Sequence, residues 1–123
     1  MTNSAPLPYS PARRVGNLIF TAGQIGRDPD TLKAEPGIEP QMHQVMKNLK
    51  YHLENNGSSL SEVIKVTIFL THMDDYAKCN DVYSQYVDEP YPARTAVAVR
   101  ELPRVADVDL VVEVEAVAEI KSS

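Results

Sequence analysis

A chain of 123 residues with 43% apolar and 24% charged residues has the composition of one ordinary globular domain. Its formal net charge of −5 argues against an affinity dominated by phosphate neutralisation, and no apolar run approaches the roughly twenty residues of a membrane span. One cysteine, Cys79, rules out an internal disulfide and fits a reducing compartment, most simply the cytoplasm.

Met1 to Pro8 is polar and proline-rich, unlike a secretory leader, and is expected to be flexible over about residues 1–7. Gly16-Asn17 reads as a hairpin turn. The apolar run Leu18–Ala22 after it reads as a strand stopped by Gly23, so two short strands open the fold. Turn formers in Arg27–Thr31 predict a loop projecting from the body, and Pro36-Gly37 marks another turn.

Ile38, Met42, Val45, Met46, Leu49 and Leu53 recur every three or four residues and predict a helix to about Asn56, with Gly57 as its C-terminal stop. The β-branched stretch Val63–Leu70 predicts a central strand. Asp74 and Asp75 favour the start of a second helix, burying Ala77, Val82, Tyr83, Tyr86 and Val87 and ending before Pro90 and Pro92. Two further strands follow at Thr95–Val99 and Val108–Ile120, separated by Leu102-Pro103-Arg104.

Along that last strand Val108, Leu110, Val112, Val114 and Ala116 share a face, while Asp109, Val111, Glu113, Glu115 and Val117 share the other. The order ββαβαββ predicts an α+β sheet with both helices on one side. Its uncovered face mixes acids with valines, which predicts association with other copies; a monomer with one solvated face is the alternative.

The candidate chemistry centres on Tyr91-Pro92-Ala93-Arg94-Thr95, which sets a guanidinium about twenty residues ahead of Glu113 and Glu115. Such a planar fork of donors suits a carboxylate ligand. A surface arginine or a structural ion pair is the plainer alternative. His43, His52 and His72 form no ligand pattern with Cys79, and Gly23 and Gly26 lack a dinucleotide or phosphate-loop fingerprint, so no metal and no cofactor are expected.

Pro8-Tyr9-Ser10, Ile19–Ile25, Val63–Leu70, Tyr91–Val99, Leu102-Pro103 and Val114–Ala118 together resemble the RidA (YjgF) family of reactive enamine and imine deaminases, from about Pro8 to Ile120. The resemblance implies a single RidA-like domain over residues 1–123 with a chorismate-mutase-like fold. It also implies a barrel-like homotrimer with sites in clefts between subunits. The implied activity is cofactor-independent hydrolysis of small enamines or imines, such as 2-aminoacrylate, to 2-keto acids and ammonia. By the same resemblance Arg94 binds the substrate carboxylate and Glu115 handles the catalytic water. Tyr9, Gly23, Asn80 and Ala96 then contribute to substrate binding.

Two positions depart from the family pattern: Ala22 stands where serine is frequent, and Ala96 where some members carry cysteine. They leave room for altered specificity, toward a different catabolic imine; a noncatalytic role in binding small molecules or proteins is the further alternative, opposed by the intact Arg94 and Glu115. Ribonuclease activity, reported for the family, is opposed by the acidic balance and the lack of a basic, aromatic surface.

Overall fold

The computed structural model describes residues 7–121; the flexible segment expected at residues 1–7 lies, apart from Leu7, outside the described residues. Strands β1 (Ala12–Val15) and β2 (Leu18–Thr21) form the opening hairpin, turned at Gly16 with φ +58°, a left-handed conformation that glycine adopts without steric cost. After Ala22-Gly23, the two-residue strand β3 (Gln24–Ile25) follows. Helix α1 (Ile38–Asn55) comes next and ends at Gly57, φ +83°. Then come β4 (Val63–Leu70), α2 (Tyr76–Tyr83) and β5 (Ala93–Ala98). A small hairpin of β6 (Arg104–Val105) and β7 (Val108–Asp109) precedes β8 (Val112–Glu119).

The main sheet runs β1-β2-β8-β4-β5, with β3 also pairing β8 beyond the end of β2. Only β4 and β5 are parallel, joined through α2; the other pairs are antiparallel. Where β2 gives way to β3, the Ala116 amide donates to the buried Thr21 hydroxyl at 3.0 Å, so the interrupted ladder leaves no orphan there.

Val66, Ile68 and Leu70 of β4 and Val112, Val114, Ala116 and Ala118 of β8 meet the apolar stripe of α1 (Met42, Val45, Met46, Leu49 and Leu53) in a single core, closed by Val82 and Val87. The alternate positions, Thr67, Phe69, Glu113, Glu115 and Val117, lie on the other face, where Phe20 and Val97 are exposed. Both helices therefore cover one side of the sheet and leave the other open, the α+β arrangement expected from the pattern.

Three expectations need correction. Ala77 is exposed, and Cys79 is buried in its place. A 3-10 turn over Met73–Asp75 precedes α2 and sets a phase that points Cys79, Val82 and Tyr83 inward. The strand expected over Val108–Ile120 is divided, because the Val111 amide donates to the Gln41 side chain at 2.8 Å instead of to a neighbouring strand. Finally, Arg104–Asp109 forms a hairpin of its own, turned through Ala106 at φ +54° and held by an Arg104–Asp109 ion pair of 2.7 Å.

Gln41 is the buried polar member of the α1 stripe. Its amide nitrogen donates to the carbonyls of Glu35 and Asp109, each at 3.0 Å, while its oxygen accepts from Val111. These three hydrogen bonds offset the cost of burying its amide, and they tie the loop before α1 to the strand leading into β8.

Candidate functional site

Two clusters form, toward opposite edges of the sheet. The first is an open cleft of about 1070 Å³ reached by Tyr9 from the N-terminal arm, Ala22 and Gly23 from the β2–β3 break, Pro103 from the β6 approach and Glu113 from β8. At Gly23 the backbone approaches the Glu113 carboxylate so closely that a Cβ there would force that side chain to move. Glu113 thus lies directly against backbone, half-buried. That burial, helped by the neighbouring Glu115 charge, raises its carboxyl above the usual carboxylate range.

The wall of this cleft is fixed from α1. Asn48 donates to the carbonyls of Ile25 and Arg27, both at 2.9 Å, and its own oxygen accepts from Gln44 at 2.9 Å. Gln44 and Asn48 are one helical turn apart, so the first amide orients the second. The short β3, with Ile25 opposite Glu113, is held in place by side chains as well as by its ladder.

The second cluster surrounds Arg94. In β5 Arg94 lies in register with Val66, which in turn pairs with Ala116, and both of those residues are buried under the helices. Directly paired residues of neighbouring strands share a face, so Arg94 belongs to the helix side and Glu113 and Glu115 to the open side. Arg94 Nη2 donates to the Tyr76 hydroxyl at 2.9 Å, and its guanidinium carbon lies 5.5 Å from the Tyr76 ring centre and 5.0 Å from that of Tyr83.

Burial pushes the Cys79 thiol up to about 11 against the opposing pull of Arg94, which makes it a poor nucleophile. The Asn80 side-chain oxygen and the Tyr83 hydroxyl are buried without a hydrogen-bond partner among the described residues. Ala96, two residues beyond Arg94, is half-buried against the core.

Tyr9 and Gly23 are therefore brought together, with Ala22 beside them. Arg94, Asn80 and Ala96 belong to β5 and α2, away from that cleft. Glu115 is exposed opposite Thr67 and does not line the cleft; the carboxylate that does is Glu113. Both glutamates share one strand and one parity, so alternation alone cannot choose between them. The usable sequence signal is Gly23, which implies a close neighbour. Among the described residues no three His, Cys, Asp or Glu side chains converge as a metal site, and no helix is long and apolar enough to cross a membrane.

The chain is an α+β domain with one bare sheet face. The sequence profile of the family described as Endoribonuclease L-PSP matches residues 2–120. A RutC family protein of Pyrococcus abyssi is 47% identical over 121 residues, covering 95% of this chain and 92% of the relative. A 2-iminobutanoate/2-iminopropanoate deaminase of Dermatophagoides farinae is 38% identical over 104 residues, covering 84% and 81%. The crystal structure of RidA from the Antarctic bacterium Psychrobacter sp. superposes with a TM-score of 0.87 at 40% identity, covering 95% of this chain and 92% of that one. The chain belongs to this RidA (YjgF) family.

Proposed function

We propose that the protein hydrolyses small enamines or imines bearing a carboxylate, without a cofactor, in sites built between the subunits of a homotrimer. The observation that carries this reading is the state of Arg94. It is held by two tyrosines and paired with no carboxylate, the Arg104–Asp109 pair being the single ion pair among the described residues. What sets it apart from the other arginines without an acidic partner is that two tyrosine rings and one hydroxyl orient its head while leaving the charge available to an anion. The deaminase relative supports the choice of anion, since the imino acids in its name carry a carboxylate beside the reacting carbon.

Arg94 grips the carboxylate and fixes the reacting carbon, a positioning effect worth several orders of magnitude in rate when geometry is tight. An enamine such as 2-aminoacrylate takes a proton at its terminal carbon, gives one up from nitrogen and so becomes the imine. Water adds to the carbon of the C=N bond; as the C–N bond of the adduct breaks, the new hydroxyl gives its proton to the nitrogen and becomes the carbonyl, so that ammonia and the 2-keto acid result. Glu113 takes the water proton and returns it to the departing nitrogen. We assign that role to Glu113, over its exposed neighbour Glu115, because Glu113 is half-buried against Gly23. Tyr9 closes the cleft, and Asn80 offers its unpartnered oxygen on the arginine side.

Because Arg94 and Glu113 sit on opposite faces, one chain supplies each half to a different neighbour. The exposed Val15, Phe20 and Val97 of the bare face favour the trimer that buries them. A reducing, cytoplasmic location accords with the free Cys79.

The test uses freshly generated 2-aminoacrylate and chelator-treated protein, with 2-keto acid and ammonia measured together and sedimentation run over a concentration series. Acceleration by a three-subunit species is expected. No acceleration with this or any of several related imino acids sinks the deaminase reading and favours a binding module. A stable monomer with full activity sinks the shared site.

A further inference from the structure

Tyr76 and Tyr83 are seven residues apart, the first and last residues of α2, and seven residues are close to two full turns. Their side chains consequently share one stripe of the helix. Arg94 reaches that stripe from β5, donating one N–H to the Tyr76 hydroxyl while the rings of both tyrosines approach its guanidinium carbon. Cations are drawn to the electron-rich faces of aromatic rings, and the attraction grows as water is excluded. Tyr83 is 7% exposed and Tyr76 41%, so one ring is a desolvated wall and the other a rim.

The Tyr83 hydroxyl has no partner among the described residues, which leaves its ring as the part that acts on Arg94. The Tyr76 hydroxyl supplies the directional contact. A guanidinium has five N–H donors; one is used here, and four remain for a ligand. An acidic partner would fix the arginine equally well but would neutralise it.

We infer that Tyr76 and Tyr83 are positioning residues for Arg94: an uncharged aromatic clamp that holds the guanidinium in one orientation, with its charge intact and most of its donors free for a small carboxylate. What the arginine grips rests on the proposed deaminase function; that it is clamped does not. The clamp explains why a long, flexible side chain at a sheet edge can be ready before its ligand arrives, since the rotamers it would otherwise lose on binding are already fixed.

The experiment uses the intact oligomer and four variants: Tyr76→Phe, Tyr76→Leu, Tyr83→Leu and Tyr83→Phe. Pyruvate serves as a nonreactive carboxylate probe in calorimetry, the imine reaction supplies KM and kcat, and the Arg94 side-chain N–H resonances are followed by NMR. Tyr76→Phe is expected to raise KM and the pyruvate Kd together, about fivefold, with kcat held within about twofold. Tyr76→Leu raises both further, by about tenfold or more, since the ring is lost as well. Tyr83→Leu raises both, and Tyr83→Phe, which keeps the ring, restores most of the loss. The distinct Arg94 resonances of the parent, which report hindered rotation of the guanidinium, should average in Tyr76→Phe.

Unchanged pyruvate binding together with unchanged Arg94 resonances in a folded Tyr76→Phe oligomer overturns the clamp. Equal loss in Tyr83→Leu and Tyr83→Phe overturns the ring assignment. If either leucine variant fails to assemble, the Tyr76→Phe comparison decides. Should the parent lack imine hydrolysis while its Arg94 resonances respond to Tyr76→Phe, the deaminase reading falls and the clamp stands.

Discussion

The Glu113 side and the Arg94 side of this sheet solve opposite electrostatic problems. Around Glu113 the fold removes water and brings backbone close, which makes the ionised carboxylate less comfortable and raises its proton affinity. Around Arg94 it supplies neutral aromatic faces, which keep a permanent cation charged and oriented. On the proposed function, a proton-handling group is thus tuned by discomfort, and a binding group by accommodation. The two call for different tests.

The largest effect is expected on the tuned side. Glu113→Gln keeps the shape of the residue but cannot accept a proton, so kcat should fall about a hundredfold or more while pyruvate binding changes little. Near-parental turnover by folded Glu113→Gln, with a large loss in Glu115→Gln, would move the role to Glu115 and break the comparison at its centre.

Gly23→Ala comes next. The backbone there is not in the left-handed region, so the added methyl acts only by displacing the Glu113 carboxylate. A loss in kcat of roughly ten- to a hundredfold is expected, with the melting temperature nearly kept, because a small misplacement of a reacting group is costly. Parental kinetics would show that the close approach is incidental.

On the accommodating side, Arg94→Lys retains the charge but loses the planar fork and its fit between two rings. KM should rise about tenfold or more with a smaller change in kcat, read against direct pyruvate binding. Equal falls in kcat and kcat/KM would mean that Arg94 acts in the transition state alone.

The smallest effect concerns pH. A raised carboxyl pKa means that the folded state favours the protonated form, so the active, ionised Glu113 is reached only as pH rises through that raised value. The same shift makes its contribution to stability greatest below the unfolded-state pKa, and that contribution is lost as pH rises through the folded one. Glu115→Gln removes the lesser of the two causes. The acid limb of the rate profile should move to lower pH yet stay above the ordinary carboxylate range, since burial persists. A limb that does not move would show that the two carboxylates do not interact.

How much of this was legible beforehand follows from which interactions are local. The apolar period of α1, the β-branched run of β4 and the alternation of β8 are properties of consecutive residues, and they appear in the structure as expected. The β6–β7 hairpin was missed because its turn uses Ala106 in a left-handed conformation where glycine or asparagine would have given the signal. Ala77 was misplaced because a 3-10 turn resets the helical phase. Gln41 was overlooked because its partners are up to 70 residues away and satisfy a polar group that composition would put on the surface. At the candidate site, Arg94 was singled out by its setting in Tyr91–Thr95. Tyr76 and Tyr83 were not, because their link to Arg94 comes from parallel pairing of β5 beside the strand that leads into α2.

The separation of Arg94 and Glu113 across one sheet has a genetic consequence. In the closed head-to-tail trimer proposed for this chain, a copy defective at Arg94 still lends a sound carboxylate to one neighbour, and a copy defective at Glu113 lends a sound cation to the other. Two inactive alleles should therefore complement. Equal parts of the two variants, dissociated and reassembled at random, regain roughly a quarter of parental sites, because each interface draws one half from either side independently. Heterozygosity for two damaged copies would be milder than homozygosity for one.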